Sequence, residues 1–262
     1  MIPFHLWLPE THVECATGGS VLLAAILLKL GSFGLLRYLL PLFHHSTLYF
    51  LPLVQVLSVL GIIYSSLVCL GLIDIKKIIA YSSVGHMNLS VLGTFSNDLL
   101  GISGSIFFLI SHGLISSGLF LLVGVLYDRF HTRVIKYYRG LVLLLPLFTL
   151  FFFFFSLANV AVPGTSGFIS EFFTLLGLFH SNLFLALLAS SGIILAPSYA
   201  LWLYHRLAFG SLSPFFSRSS SDLTLKEFHL LSPLSLLVLV LGLAPDLLFS
   251  YLLLPSYLLL HP

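Results

Sequence analysis

Charged side chains are scarce in this chain of 262 residues, since Asp, Glu, Lys and Arg together make up only 8% of it. A typical soluble domain carries roughly 25% charged residues. Apolar residues make up 58% of the chain, and 25 residues are phenylalanine. The composition therefore excludes a water-soluble domain and indicates an all-α, polytopic transmembrane helix bundle.

Cysteine is also scarce, and the two cysteines, Cys15 and Cys69, lie in different segments without CxxC spacing. This arrangement argues against a disulfide framework, a metal-thiolate site or an iron–sulfur cluster. No flavin, nicotinamide, haem or nucleotide motif is present. We therefore expect no cofactor, no metal and no redox chemistry on this chain, and no nucleic-acid partner.

Seven apolar segments are long enough for the roughly 20 residues that a bilayer core requires. The fifth is too long for one straight helix, and a Pro–Gly pair within residues 162–168 predicts that this helix is broken. A broken helix leaves backbone groups unpaired, which is tolerated at membrane depth only inside protein or beside a polar cavity. The seven segments cover residues 17–43, 48–71, 74–96, 99–127, 140–180, 182–208 and 228–256.

The distribution of basic residues supports this count, because short loops on one side of a membrane collect Lys and Arg. With alternating spans, all of the basic residues except Lys29 and Arg37 fall on one side. Residues 211–227, which are rich in serine, predict an exposed loop. The residues on the basic side are Lys76, Lys77, Arg129, Arg133, Lys136, Arg139, Arg206, Arg218 and Lys226.

Four titratable residues lie inside apolar segments, namely Lys29, His86, His112 and Glu171. A lysine at the centre of a spanning helix costs about 2.5 to 3.5 kcal/mol on insertion scales. Burial lowers the pKa of a lysine and raises that of a glutamate, and histidine titrates near neutral pH. The four residues, bridged by water and by nearby serines, therefore predict a proton relay. The serines are Ser82, Ser83, Ser111, Ser116 and Ser117.

Structural roles remain open for each of the four residues. Lys29 could form a salt bridge or extend towards the membrane interface, and Glu171 could cap the helix beside the Pro–Gly break. His86 and His112 could bond to the backbone, as buried histidines commonly do. Lys76 is expected to mark a membrane interface, and Arg133 to anchor the topology.

Several motifs in colinear order over residues 3–210 resemble the antiporter-like subunit 4 family of respiratory complex I, which is itself similar to Mrp-type cation/proton antiporters. The resemblance implies the C-terminal half of a bundle of fourteen helices with two inverted repeats. The motifs are residues 3–14, 24–31, 74–87, 111–114, 126–133 and 158–172.

The resemblance also implies roles for individual residues. Lys29 matches the mid-membrane lysine of the connecting half-channel, and Glu171 the acidic residue of the second broken helix. His86 and His112 match histidines of the central hydrophilic axis. In the subunit 2 and subunit 5 types a lysine usually replaces this glutamate, so Glu171 favours the subunit 4 type.

The resemblance implies a function and a set of partners. We expect a proton-translocating subunit of NADH:ubiquinone oxidoreductase in the mitochondrial inner membrane, driven by quinone reduction elsewhere in the complex. NADH, FMN, iron–sulfur clusters and quinone are then expected on other subunits. The expected partners are the other membrane-arm subunits, including antiporter-like subunits 2 and 5, together with membrane lipids. A bacterial or plastid membrane is the other expectation for location.

Residues of the family's first half have no counterpart here, which predicts a separately encoded N-terminal half of subunit 4, with a truncated gene model as the alternative. We expect residues 1–210 to form the partial translocation region, 211–227 an exposed loop, and 228–262 a C-terminal transmembrane helix and tail. Two other classes of function remain open at this stage. They are a stand-alone cation/proton antiporter and a purely structural membrane subunit.

Overall fold

The computed structural model describes residues 1–213 and 221–260, and it is helical almost throughout this part of the chain. The long helices form a bundle, joined near the middle of the chain by two short helical turns, Ile135–Tyr137 and Leu141–Leu144. The helices of eight or more residues are α1 Trp7–Glu14, α2 Thr17–Leu42, α3 His44–Gly71, α4 Ile75–Thr94, α5 Leu99–Phe130, α6 Pro146–Asn159, α7 Ser166–Ser181, α8 Leu183–Ala208, α9 Leu225–Leu243 and α10 Asp246–Leu260.

Within residues 1–213 and 221–260, five helices are long and apolar enough to cross a membrane, namely α2, α3, α5, α8 and α9. The third predicted segment corresponds to α4, which has 20 residues and carries a larger share of polar side chains than these five helices. The fifth corresponds to α6 and α7, which are separated by the predicted break. The all-α, multi-pass fold class is thereby confirmed.

The seventh predicted segment, 228–256, differs from the structure because it forms two helices rather than one. The residue before a proline is disfavoured in the α conformation, and Ala244 before Pro245 has φ −126° and ψ 70°. Leu145, which precedes Pro146, is restricted in the same way. Helix α6 therefore begins at Pro146, whereas the predicted segment begins at residue 140. Helix α9 begins at Leu225, three residues before the predicted segment. The predicted 211–227 loop lies partly outside the described residues, and the domain division stays a prediction.

Helix α5 is the centre of the bundle, with 32 residues and a mostly buried surface. It contacts α2, α4, α6, α7, α9 and α10. Small residues permit the closest of these contacts. At Gly104, a Cβ atom would lie only 2.8 Å from the backbone nitrogen of Thr174, so a larger side chain there would push α7 away.

The loops that follow α3, α5 and α8 meet at one end of the bundle. The Ile75 N–H donates to Arg133 O, the Ile135 N–H to Ile73 O, and the Gly140 N–H to Phe209 O. These are the loops that sequence reasoning placed on the basic side. Arg218, which was assigned to the third of them, lies outside the described residues.

One ion pair and one capping carboxylate fix residues 222–227 to the same end. Arg129 Nη2, near the end of α5, lies 2.7 Å from Glu227 Oε2 and 3.0 Å from Asp222 O. The Asp222 carboxylate accepts hydrogen bonds from the backbone N–H groups of Leu147 and Phe148. Asp222 thereby satisfies two donors in the first turn of α6, which have no partner within that helix.

Candidate functional site

Lys29 and His112 form a direct contact between α2 and α5. Lys29 Nζ lies 2.9 Å from His112 Nδ1, and it also donates a hydrogen bond to Ala24 O. The His112 side chain is only 3% exposed. Lys29 therefore bonds inside the bundle, and the alternative that it extends to the membrane interface does not describe this structure.

A π-helical turn at Leu23–Leu27 leaves the Ala24 carbonyl free to accept the hydrogen bond from Lys29. In an α-helix the Leu28 N–H would bond to Ala24 O, but here it bonds to Leu23 O, five residues back. The Ala24 carbonyl thus loses its usual donor, and the ammonium group of Lys29 bonds to it instead. Widened turns of this kind are frequent at functional sites.

His86 and Glu171 form a second pair, between α4 and α7. His86 Nδ1 lies 3.3 Å from Glu171 Oε1, and both residues are less than 9% exposed. The other ring nitrogen, His86 Nε2, has no hydrogen-bond partner among the described residues. Glu171 is therefore paired with a titratable group rather than serving only as a helix cap.

The two pairs are neighbours, because the rings of His86 and His112 have their centroids 5.6 Å apart. A small cavity of about 10 Å³ lies among His86, His112, Glu171 and Asn159, which is at the lower limit of the cavity volume that can hold one water molecule. The four residues predicted from sequence therefore form one row, in the order Lys29, His112, His86 and Glu171.

The break between α6 and α7 positions Glu171 in the second turn of α7. Ala161 and Gly164 take positive φ angles of 60° and 95°, which the chain needs in order to leave one helix and enter the next. Helix α9 covers the break at Gly242, where a Cβ atom would lie 2.4 Å from Gly164 O. Helix α9 thus covers one side of the break, where Gly164 is half-buried and Thr165 is buried, while Pro163 is exposed.

A second polar cavity adjoins Glu171 on the side away from His112. It has a volume of about 30 Å³, enough for a water molecule. Tyr199, which is 4% exposed, forms part of its wall together with Ser82. The polar groups lining it belong to Ser65, Ser66, Ser82, His86, Glu171 and Tyr199.

The serines predicted to bridge the row have different environments. Ser82 lines the cavity beside Glu171, and Ser111 Oγ lies 3.1 Å from Ser170 Oγ. Ser83, Ser116 and Ser117 donate hydrogen bonds to carbonyl groups of their own helices. The bridging role of these serines stays a prediction.

Sequence reasoning missed three polar residues close to the row. Tyr199 and Asn159 line its cavities, and His12 is fully buried with both ring nitrogens unpartnered among the described residues. Tyr199 carries no sequence signal that sets it apart from the other polar residues of α8, such as Ser198 and Tyr204. His12 lies within the motif at residues 3–14, but its position near the start of an apolar segment gives it no separate signal.

Lys76 and Arg133 do more than lie at the membrane interface, because both bond to the backbone at the end of α1. Lys76 Nζ donates to Cys15 O and Arg133 Nη1 to Val13 O, each at 2.7 Å. These carbonyls lie at the end of α1, where backbone acceptors lack helical partners. The two cations therefore hold the end of α1 against α4 and against the loop that follows α5.

The chemistry of the four side chains in the row allows a proton to pass from one to the next. Each member can hold a proton in one state and release it in another, and each lies next to a neighbour that can take it. Histidine can accept a proton on one ring nitrogen and release one from the other. The proton-relay role of Lys29, His86, His112 and Glu171 remains a prediction that this geometry supports.

The chain matches known proteins over most of its length. Residues 1–196 match the family model described as NADH:quinone oxidoreductase/Mrp antiporter, transmembrane. The NADH-ubiquinone oxidoreductase chain 4 of Arabidopsis thaliana is 53% identical over 245 residues, which is 94% of this chain and 50% of that protein. The chain thus spans about half the length of the curated relatives it matches.

Solved structures agree with this match. A chain of respiratory complex I from Thermus thermophilus superimposes with a TM-score of 0.90 at 32% identity, over 99% of this chain and 55% of that one. A chain of the Mrp complex from Dietzia also gives a TM-score of 0.90, at 18% identity over 99% of this chain and 56% of that one, and it shares the fold. This multi-pass membrane protein therefore belongs to the NADH:quinone oxidoreductase/Mrp antiporter transmembrane family.

Proposed function

We propose that this chain is the proton-translocating part of a subunit 4 in the membrane arm of an NADH:ubiquinone oxidoreductase. The observation that carries the proposal is the continuous row from Lys29 through His112 and His86 to Glu171. A row of paired, buried titratable groups is expensive to keep in a membrane, and it suits a proton pathway. The similarity to chain 4 relatives supports the same function.

Quinone reduction elsewhere in the complex drives the movement in this account. Two unit charges about 4 Å apart interact by about 4 kcal/mol at an effective dielectric constant of 20. Adding or removing one proton at Glu171 therefore changes how readily His86 is protonated, and the same holds for His112 and Lys29. Protonation states can then shift along the row without a large structural motion.

The complex supplies the remaining parts. NADH, FMN, the iron–sulfur clusters and quinone are bound by other subunits, and the neighbouring partners include antiporter-like subunits 2 and 5 and membrane lipids. The membrane is the mitochondrial inner membrane.

Purification of the native membrane complex tests this proposal. Mass spectrometry is expected to find this chain together with NADH-oxidising subunits and with the other membrane-arm subunits. Vesicles that contain the complex are expected to translocate protons when NADH is added. A complex without NADH-oxidising subunits, which exchanges cations for protons in the absence of NADH, would contradict the proposal and favour a stand-alone Mrp-type antiporter.

A further inference from the structure

His12 is a buried titratable residue that the row described above does not use. Its side chain is 0% exposed, and its ring stacks on the ring of Phe120 with centroids 4.5 Å apart. Neither ring nitrogen has a hydrogen-bond partner among the described residues. Since nearly all buried polar groups in proteins are hydrogen-bonded, two open nitrogens on one buried ring require an explanation.

The register of α2 and α5 shows where His12 lies along the bundle. The two helices run antiparallel, with Thr17 against Gly124 at one level and Lys29 against Gly113 at another. Phe120, the stacking partner of His12, lies between these levels. At 1.5 Å per residue, it is about 6 Å from the level of Gly124 and about 10 Å from that of Gly113.

A polar pocket lies beyond His12, at the end of the bundle where the basic loops meet. Its volume of about 350 Å³ is large enough for several water molecules. Lys76 and Arg133 line it and also hold the end of α1, the helix that carries His12. The charged groups in its wall are Glu14, Lys76, Asp128 and Arg133.

His12 is close enough to two lysines, one on each side of it along the bundle, to feel their charges. The charges of Lys76, at the pocket, and of Lys29, in the row, both act on the His12 ring. Ser117, three residues from Phe120 along α5, lines the same groove as Lys29 and provides a hydroxyl group between the two levels. Ser117, whose hydroxyl donates to Leu114 O, therefore provides one polar group in a groove that is otherwise lined mainly by apolar side chains.

We propose that His12 is a further proton-carrying residue, which links the pocket at Glu14, Lys76, Asp128 and Arg133 to the Lys29–His112 pair. A proton that arrives from the aqueous side along the water of the pocket binds one ring nitrogen, and the other ring nitrogen releases one through intervening water to the neutral amine of Lys29. No bond other than N–H and O–H bonds forms or breaks, and His12 returns to its neutral state. This inference rests on the proposed function, and it adds the position at which protons enter the row.

Two variants at position 12 test the link in the assembled complex. His12→Phe keeps a ring that can stack on Phe120, and His12→Gln keeps a hydrogen-bonding group, but neither can carry a proton. We expect both to lower the coupled rate on the order of tenfold or more, as removal of a proton-transfer group typically does. His45→Phe, which replaces an exposed histidine, serves as the matched control.

Lys29→Met is measured in the same preparations. If Lys29→Met lowers proton translocation while both His12 variants assemble and pump like the wild type, the role of His12 is overturned and the proposed function survives. If Lys29→Met also pumps normally, the proposed function fails as well.

A measurement on the wild-type complex covers the case in which the variants do not assemble. Exchange of the imidazole C2 proton with heavy water, read by mass spectrometry, reports whether water reaches a histidine ring. We expect His12 to exchange with a sigmoidal dependence on pH despite its burial. Absence of exchange would mean a dry ring and would overturn the proposal.

Discussion

Lys29 Nζ lies 2.9 Å from His112 Nδ1, although the two residues are 83 positions apart in the chain. Burying a lysine at membrane depth costs about 2.5 to 3.5 kcal/mol on insertion scales. Part of this cost is offset by the bonds to His112 and to the Ala24 carbonyl, which the π-helical turn leaves available. The ammonium group is thereby held at one end of a row of titratable side chains.

The His86–Glu171 pair predicts that these two residues act as a unit. Glu171→Gln and His86→Gln are each expected to lower the rate of NADH-driven proton translocation on the order of tenfold or more. The double variant is expected to cost no more than the worse single variant, because either change already breaks the same path. A double-mutant cycle on the coupled rate measures this, and additive effects would show that the two residues act separately.

The contact of α9 with the helix break predicts a stability effect at Gly242. Gly242→Ala places a Cβ atom against Gly164 O and is expected to destabilise the protein by about 1 to 3 kcal/mol. Gly34→Ala is the matched control, because no atom lies within 4 Å of the added methyl group. That change is expected to be neutral or to stabilise α2 by up to about 1 kcal/mol. Thermal denaturation of the purified complex compares the two, and equal melting temperatures would contradict the packing account.

The hydrogen bonds of Asp222 to the first turn of α6 predict that this residue contributes to stability. Asp222→Ala removes the acceptors of the Leu147 and Phe148 N–H groups and is expected to cost about 0.5 to 2 kcal/mol of stability. Asp222→Asn keeps one acceptor oxygen but places an NH2 group against the other backbone N–H, so it is expected to keep only part of the stability that Asp222→Ala loses. Melting curves of the two variants are the test, and a wild-type melting temperature in Asp222→Ala would contradict the capping role.

Much of this arrangement could be predicted from the sequence because membrane burial makes polar residues expensive. Lys29, His86, His112 and Glu171 were identified for that reason alone, and the structure brings all four together. The Pro–Gly pair likewise predicted the helix break before Glu171. The free-energy cost of burying a charged or polar side chain, and the backbone restriction imposed by proline, both follow from the residue type and do not depend on its neighbours.

The remaining features depend on how distant helices pack, which a single sequence does not show. The π-helical turn at Leu23–Leu27 has an ordinary apolar sequence, and only the donor pattern of Leu28 reveals it. Tyr199 became part of the site because α8 packs beside Glu171. The division of 228–256 into two helices was within reach of sequence reasoning, since Pro245 restricts Ala244 directly.

The most direct test of the account is the number of protons translocated per electron in complexes that carry Lys29→Met or Lys29→Arg. Arginine keeps the positive charge but does not release its proton at physiological pH, so a relay fails in both variants, whereas a role for the charge alone survives in Lys29→Arg. Lys136→Arg, at an exposed lysine, is the control. We predict a reduced number of protons per electron in both Lys29 variants, with normal assembly and a normal value in the control. A normal number of protons per electron in assembled Lys29→Met and Lys29→Arg complexes would contradict the proton relay.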